Sequence, residues 1–221
     1  MTARGRWWAA AGFVVVVALL ITVVVLGWAR PPRPSVLGTD RLGPDSGEPV
    51  ADYLDRARES LSGDDAAARW ALVTLRTGLG TDDVVDVVAG PRISQLLYHV
   101  PIDRVYTPVI TVPVPAGAAA ARAAQAAAAG AMDHVQADDD RSRRIAAVLA
   151  ARLRAGCPCA VNLVVRGTLA QLRALAAHSA VRSVQALPPD AAAGAFAVLP
   201  LLPEQTDTVT PGPDDGAIPD R

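Results

Sequence analysis

Residues 7–29 read WWAAAGFVVVVALLITVVVLGWA, 23 positions without one charged side chain. As a helix rising about 1.5 Å per residue, such a stretch crosses a hydrocarbon core of about 30 Å. Trp7, Trp8 and Trp28 bracket it, where indoles sit at headgroup level with the N–H wet. Arg4 and Arg6 precede it; Arg30 and Arg33 follow. A cleaved signal peptide is the rival reading, but its apolar region usually runs about 7–15 residues. The longer run is therefore read as a retained signal-anchor, with Arg4, Arg6, Arg30, Trp7, Trp8 and Trp28 as its membrane-interface anchors. No Cys follows that would carry a lipid.

Positive groups on the two sides of the span balance, so charge bias alone leaves its orientation open. A short basic leader favours a cytoplasmic N-terminus at residues 1–6 and an extracytoplasmic remainder. A six-residue cytoplasmic tail leaves little room for a signalling partner inside the cell.

Composition narrows the function classes. The 22 acidic and 21 basic residues leave a net charge of -1, and no concentrated basic face of a nucleic-acid binder follows from that balance. Every basic residue is Arg and none is Lys, while Ala occurs 44 times, the imprint of GC-rich codons. Residues 30–47 are rich in Pro and Gly and read as a stalk. Residues 204–221, EQTDTVTPGPDDGAIPDR, read as a disordered acidic tail. The folded part is then residues 48–203.

Within it, Val50, Tyr53, Leu54, Ala57 and Leu61 fall at helical spacing behind Pro49. WALVTL at 70–75 predicts a buried strand and residues 78–80 a turn. Thr81 is positioned to cap a helix carrying Asp82 and Asp83 in its first turn. Residues 93–100 form a further strand. The pattern recurs: strand 160–166, a helix capped by Thr168, and strand 181–187. Thr81 to Pro101 and Thr168 to Pro188 each span 20 positions. Two strand-helix-strand units of this length predict an α+β domain with a ferredoxin-like βαββαβ sheet.

Between the units, residues 108–114 (PVITVPV) suit an edge strand. An Ala-rich helix at 116–135, interrupted by Gly130, and a second helix at 141–154, capped from Asp138, Asp139 and Asp140, complete the middle. The Ala-rich helix is a candidate for close packing or for a homodimer contact. Residues 196–202 (FAVLPLL) suit a last edge strand.

Cys157-Pro158-Cys159 is the most specific local motif. In an oxidising compartment the thiols can pair, provided that Pro158 turns the chain enough to bring the two Cα atoms within bonding reach. The pair is read as a small staple, with thiol exchange as the alternative. His134 and Asp138 are four apart, yet a hard-ion site needs more ligands on a rigid loop, so no metal is assigned. His99 and His178 have no nucleophile or carboxylate at a telling spacing. No nucleophile-elbow, zincin, phosphate-loop or dinucleotide pattern occurs. The reading is accordingly non-enzymatic, with no catalytic residue and no cofactor.

The span together with the Lys-free, Arg- and Ala-rich composition resembles single-pass envelope proteins of actinobacterial type. LVVRGTLAQLRALAAHSAVRSVQALPPD (163–190) is similar in pattern to halves of ferredoxin-like modules, subtilisin-type propeptides among them. The anchor, the stalk, the repeated unit and the missing catalytic pattern point to a non-catalytic cell-membrane protein whose partners are the bilayer and an envelope protein or cell-wall component; the balanced charge leaves out nucleic acid. Two alternatives stand beside it: an exported thiol-disulfide enzyme or redox sensor using Cys157 and Cys159, and a small-ligand sensor acting through another membrane protein.

Overall fold

A computed structural model describes residues 40–219. The anticipated span, its flanking Arg4, Arg6 and Arg30, and its Trp7, Trp8 and Trp28 lie outside the described residues. Among the described residues, no helix is long and apolar enough to cross a membrane.

The chain forms β1 (Arg41–Leu42), α1 (Val50–Glu59), β2 (Ala68–Leu79), α2 (Thr81–Val87), β3 (Arg92–Tyr98) and β4 (Ile110–Pro113). It continues with α3 (Ala118–Asp133), α4 (Asp140–Arg154), β5 (Ala160–Thr168), α5 (Leu169–Ala176), β6 (Val181–Ala186) and β7 (Ala197–Val198). Among the described residues, five helices thus accompany a five-stranded antiparallel sheet in the order β4-β3-β5-β2-β6. The mixed α and β class expected from alternating periodicity is present. Residues 108–114 supply β4, at the sheet edge where the prolines cost no ladder bond.

Strand alternation divides the core. Ala71, Val73 and Leu75 of β2 join Leu163 and Val165 of β5 on one face, beneath Leu169, Leu172 and Leu175 of α5 and Val148, Leu149 and Leu153 of α4. The opposite face carries Leu72, Leu97 and Val164, covered by Leu42 and Leu187, with Phe196 and Val198 packed alongside. Helix α1 adds Val50, Tyr53 and Ala57 around Leu201. Helix α5 starts on a full capping box: the Thr168 hydroxyl takes the Gln171 N–H while the Gln171 side chain returns to the Thr168 N–H.

Several expectations are corrected. The fold reaches further toward the N-terminus than residue 48: β1 pairs in parallel with β7, Leu42 is fully buried, and the Gly43 N–H donates to Gln185 Oε1 at 2.6 Å. Residues 40–47 are therefore part of the domain rather than of a stalk. Residues 204–219 do not trail free either. Gly47 N–H donates to Val209 O (2.8 Å), Val50 N–H to Asp207 O (2.9 Å) and Val209 N–H to Glu48 O (3.0 Å). Main-chain pairing of this kind is blind to the polar composition that suggested disorder. The last strand shrinks to Ala197–Val198 and joins β1, not the large sheet.

Local details shift too. The N-cap of α2 is Gly80, since the Thr81 hydroxyl is engaged elsewhere. Strand β2 runs on to Leu79, its register with β5 broken between Thr74 and Leu79, so residues 78 and 79 extend the strand instead of turning. Helix α3 passes through Gly130 without interruption, as a lone Gly weakens a helix by only about 1 kcal/mol. Its Ala121, Ala124, Ala128 and Ala129 are buried within this chain, so one Ala face is already used against the protein's own core.

Candidate functional site

The Cys157-Pro158-Cys159 corner joins α4 to β5. Helix α4 ends at Arg154, and Gly156 takes a φ of +77°, a left-handed turn that an L side chain disfavours. The Cys157 N–H then donates to Arg152 O at 3.2 Å and the Cys159 N–H to Cys157 O at 2.8 Å. Pro158 forms the apex of that tight turn. The two Cα atoms stand 5.3 Å apart and the sulfurs are bonded. Cys159 is buried in the core and Cys157 half-buried.

Three elements clamp the corner. The His99 N–H donates to Cys159 O at 2.9 Å. Gly78 of β2 lies so close that a Cβ there would collide with the Pro158 carbonyl oxygen. Gln125 of α3 completes the clamp: its Nε2 donates to Cys157 O (2.9 Å) and Leu153 O (3.2 Å), and its Oε1 accepts from Thr81 Oγ1 (2.8 Å). With its proton committed to Gln125, Thr81 Oγ1 can accept from the Tyr98 hydroxyl at 3.1 Å. Burial raises the Tyr98 pKa and keeps that hydroxyl a neutral donor. The Gln125 amide thus has partners for both its nitrogen and its oxygen. Its nitrogen also lies 3.9 Å from Cys157 Sγ. These contacts tie the corner to β2, α3 and the end of β3.

A second cluster escaped the spacing argument because its members are far apart in sequence. His99, itself buried, has Nε2 2.9 Å from Thr107 Oγ1, while Nδ1 lies 3.4 Å from Glu204 Oε1. Hydroxyl, imidazole and carboxylate in this order resemble a nucleophile with its base and orienting acid. The proton count argues otherwise. Thr107 Oγ1 also lies 2.9 Å from Val100 O and donates to it, so it receives the His99 Nε2–H instead of surrendering a proton to it. Burial is the main influence on His99 and lowers its pKa, opposed by the Glu204 carboxylate and by the Thr107 backbone. Glu204 comes from the C-terminal segment, which the cluster thus places beside the end of β3.

A third feature is a polar row on the sheet face beneath α1. Thr74 stands opposite both Asn162 and Ser183. The Tyr53 hydroxyl reaches toward Ser183 and Thr74, and burial raises its pKa. Asn162 Nδ2 donates to Leu201 O at 3.0 Å, while Asn162 Oδ1 and the three hydroxyls complete no protein hydrogen bond of good geometry.

The remaining candidates separate. Helix α3 ends at Asp133 with His134 as its C-cap, so His134 and Asp138 share no helix face. Asp139 caps α4 by accepting from the Ser142 N–H at 2.8 Å, and those contacts lower its pKa. Among the described residues no group of three or more potential metal ligands exists. His178 Nδ1 accepts from the Ala180 N–H at 3.2 Å, closing the turn after α5. The sequence held one signal for Gln125, a lone amide inside an Ala run, and none for the Thr107 and Glu204 pairing. No protein-family model, curated protein or solved structure matches the chain.

Proposed function

We propose that this chain is a non-catalytic, membrane-tethered envelope protein whose extracytoplasmic domain binds a partner protein or wall component. The uncharged stretch at 7–29 motivates the tether. The observation in the fold that carries the reading is the bonded Cys157–Cys159 pair, because a reducing cytosol keeps such thiols apart. The two polar clusters support a binding role over a catalytic one, since each uses its hydroxyls and imidazole to fasten chain segments together.

The strand order also supports the ferredoxin-like arrangement. Leaving β4 aside, the order β6-β2-β5-β3 places β5 between β2 and β3, and β2 between β5 and β6. Helices α2 and α5 make the two connections, as in paired split βαβ units. In such a domain one sheet face lies beneath helices. Here α1 and the chain-end segments cover the other, so a partner meets loops, helix exteriors or those segments.

Fusions at residue 221 test the topology. A phosphatase active only after export should be active there, and a cytosolic galactosidase fusion inactive, with the membrane fraction retaining the original N-terminus. The reverse activities, or a chain starting beyond residue 29, would remove the tether from the reading. Crosslinking in intact cells then tests binding; recovery of no envelope protein or polymer counts against that half.

A further inference from the structure

The C-terminal segment is seated in the domain by a sequence-specific set of contacts. Asp214 Oδ1 accepts from the Tyr106 N–H at 3.0 Å and from Arg141 Nη2 at 2.9 Å. Asp215 pairs with Arg104. The Gly216 N–H donates to Arg104 O at 2.7 Å, and Gly216 O accepts from Arg141 Nη1 at 3.1 Å. A Cβ on Gly216 would collide with the Asp103 carbonyl oxygen and lie 2.8 Å from that of Arg104. Ile218 packs on the main core. Each of these residues is thus read by a separate feature: two carboxylates, a residue without a side chain, and an aliphatic group two positions on.

The receiving surface is unusual in its own right. Arg104 has a φ of +53°, the one positive value outside glycine among the described residues. That left-handed backbone is held in a loop whose carbonyl and guanidinium both address the tail. Held strain of this kind gathers at ligand clamps. The neighbouring Tyr106 is 59% exposed, leaving an aromatic ring at the rim of the site.

We propose that the Arg104 and Arg141 cradle is an acidic-peptide recognition site, occupied in cis by Asp214-Asp215-Gly216. A partner protein presenting two consecutive carboxylates, then glycine, then an aliphatic side chain two positions later takes the place of the tail. The cis contact is suited to exchange. Both ion pairs are solvent-exposed, and exposed pairs are individually weak. The tail holds its place through the high effective concentration that tethering supplies. The inference is independent of the membrane reading, as the contacts lie wholly within residues 103–218.

The test uses the full chain and a fluorescent peptide of residues 210–219, TPGPDDGAIP, followed by anisotropy. A D214A/D215A/I218A variant frees the cradle and binds the peptide saturably. The wild-type chain binds it about tenfold or more weakly, because its own tail competes. Adding R104Q or R141Q to the freed variant weakens binding severalfold, and a peptide with Ala in place of its Gly fails to bind. No saturable binding by the freed variant, or equal binding with the Arg substitutions or the Ala peptide, overturns the proposal. Hydrogen exchange on the unmutated chain gives a second reading that needs no variant. Excess unlabelled peptide speeds exchange at the Gly216 amide if the tail is displaced; unchanged exchange at saturating peptide refutes displacement.

Discussion

Replacing Gln125 by Leu isolates the fastening of the disulfide corner. The two side chains are similar in volume, so the substitution removes hydrogen bonds without opening a large cavity. Three contacts go: Thr81 Oγ1 to Oε1, and Nε2 to Cys157 O and Leu153 O. Both carbonyls keep another donor, the Cys159 N–H and the Gly156 N–H respectively, so neither is fully orphaned. At about 1 kcal/mol for each lost bond, the variant should be about 2–4 kcal/mol less stable. For a domain of this size that lowers the melting temperature by about 10 °C. Urea unfolding of the full chain, followed by far-ultraviolet circular dichroism, measures the change. A double-mutant cycle with Thr81→Val sharpens it: the two residues share a bond, so their effects should fall short of additivity by about 1 kcal/mol. A Gln125→Leu chain within about 0.5 kcal/mol of wild type, or strict additivity with Thr81→Val, would show that the amide does not hold the corner.

Three further outcomes follow from other parts of the fold. His99 has a lowered pKa through burial, so the fold favours the neutral ring. Its contribution is present above the ordinary His value of about 6.5 and is lost as pH falls from there through the lowered value; in that window the loss approaches about 1.4 kcal/mol per pH unit. His99→Gln should flatten this part of a stability-against-pH curve, and an unchanged curve would exclude His99 as its source. Gly43 has a φ of +107°, and a Cβ there would run into the Leu199 carbonyl; Gly43→Ala should cost about 2–4 kcal/mol in a thermal melt, by separating β1 from β7. Thr168→Ala removes the cap of α5 and should cost about 1 kcal/mol by the same measurement, with Thr168→Ser close to wild type.

What could be read from the sequence divides by the range of the interaction. The cap of α5 was legible because Thr168 and Gln171 are three apart and both partners lie within one turn. The matching reading at Thr81 failed although the residue type was right. Its hydroxyl is drawn to Gln125 and Tyr98, 44 and 17 positions away, and no local pattern announces either. Cys157-Pro158-Cys159 was visible as a motif, yet its surroundings were not: Gly78, His99 and Gln125 reach it from three separate elements. Site residues drawn from distant segments therefore leave residue types in the sequence but no spacing.

The chain ends make the same point with opposite sign. Pro, Gly and acidic residues in 30–47 and 204–221 suggested segments with too little apolar surface to order themselves. That argument is sound for each segment alone and fails for the two together. Leu42 brings one large, fully buried side chain from the first segment, and Val209 and Ile218 of the second pack against the core. Backbone bonds between residues 47–50 and 207–209 then join the ends to one another, and Asp214 and Asp215 meet arginines placed by a loop and by α4. None of these bonds depends on hydrophobic periodicity. Each end is thus held by bonds to the other and to the body of the domain, and composition windows, which weigh one stretch at a time, miss contacts made across the chain.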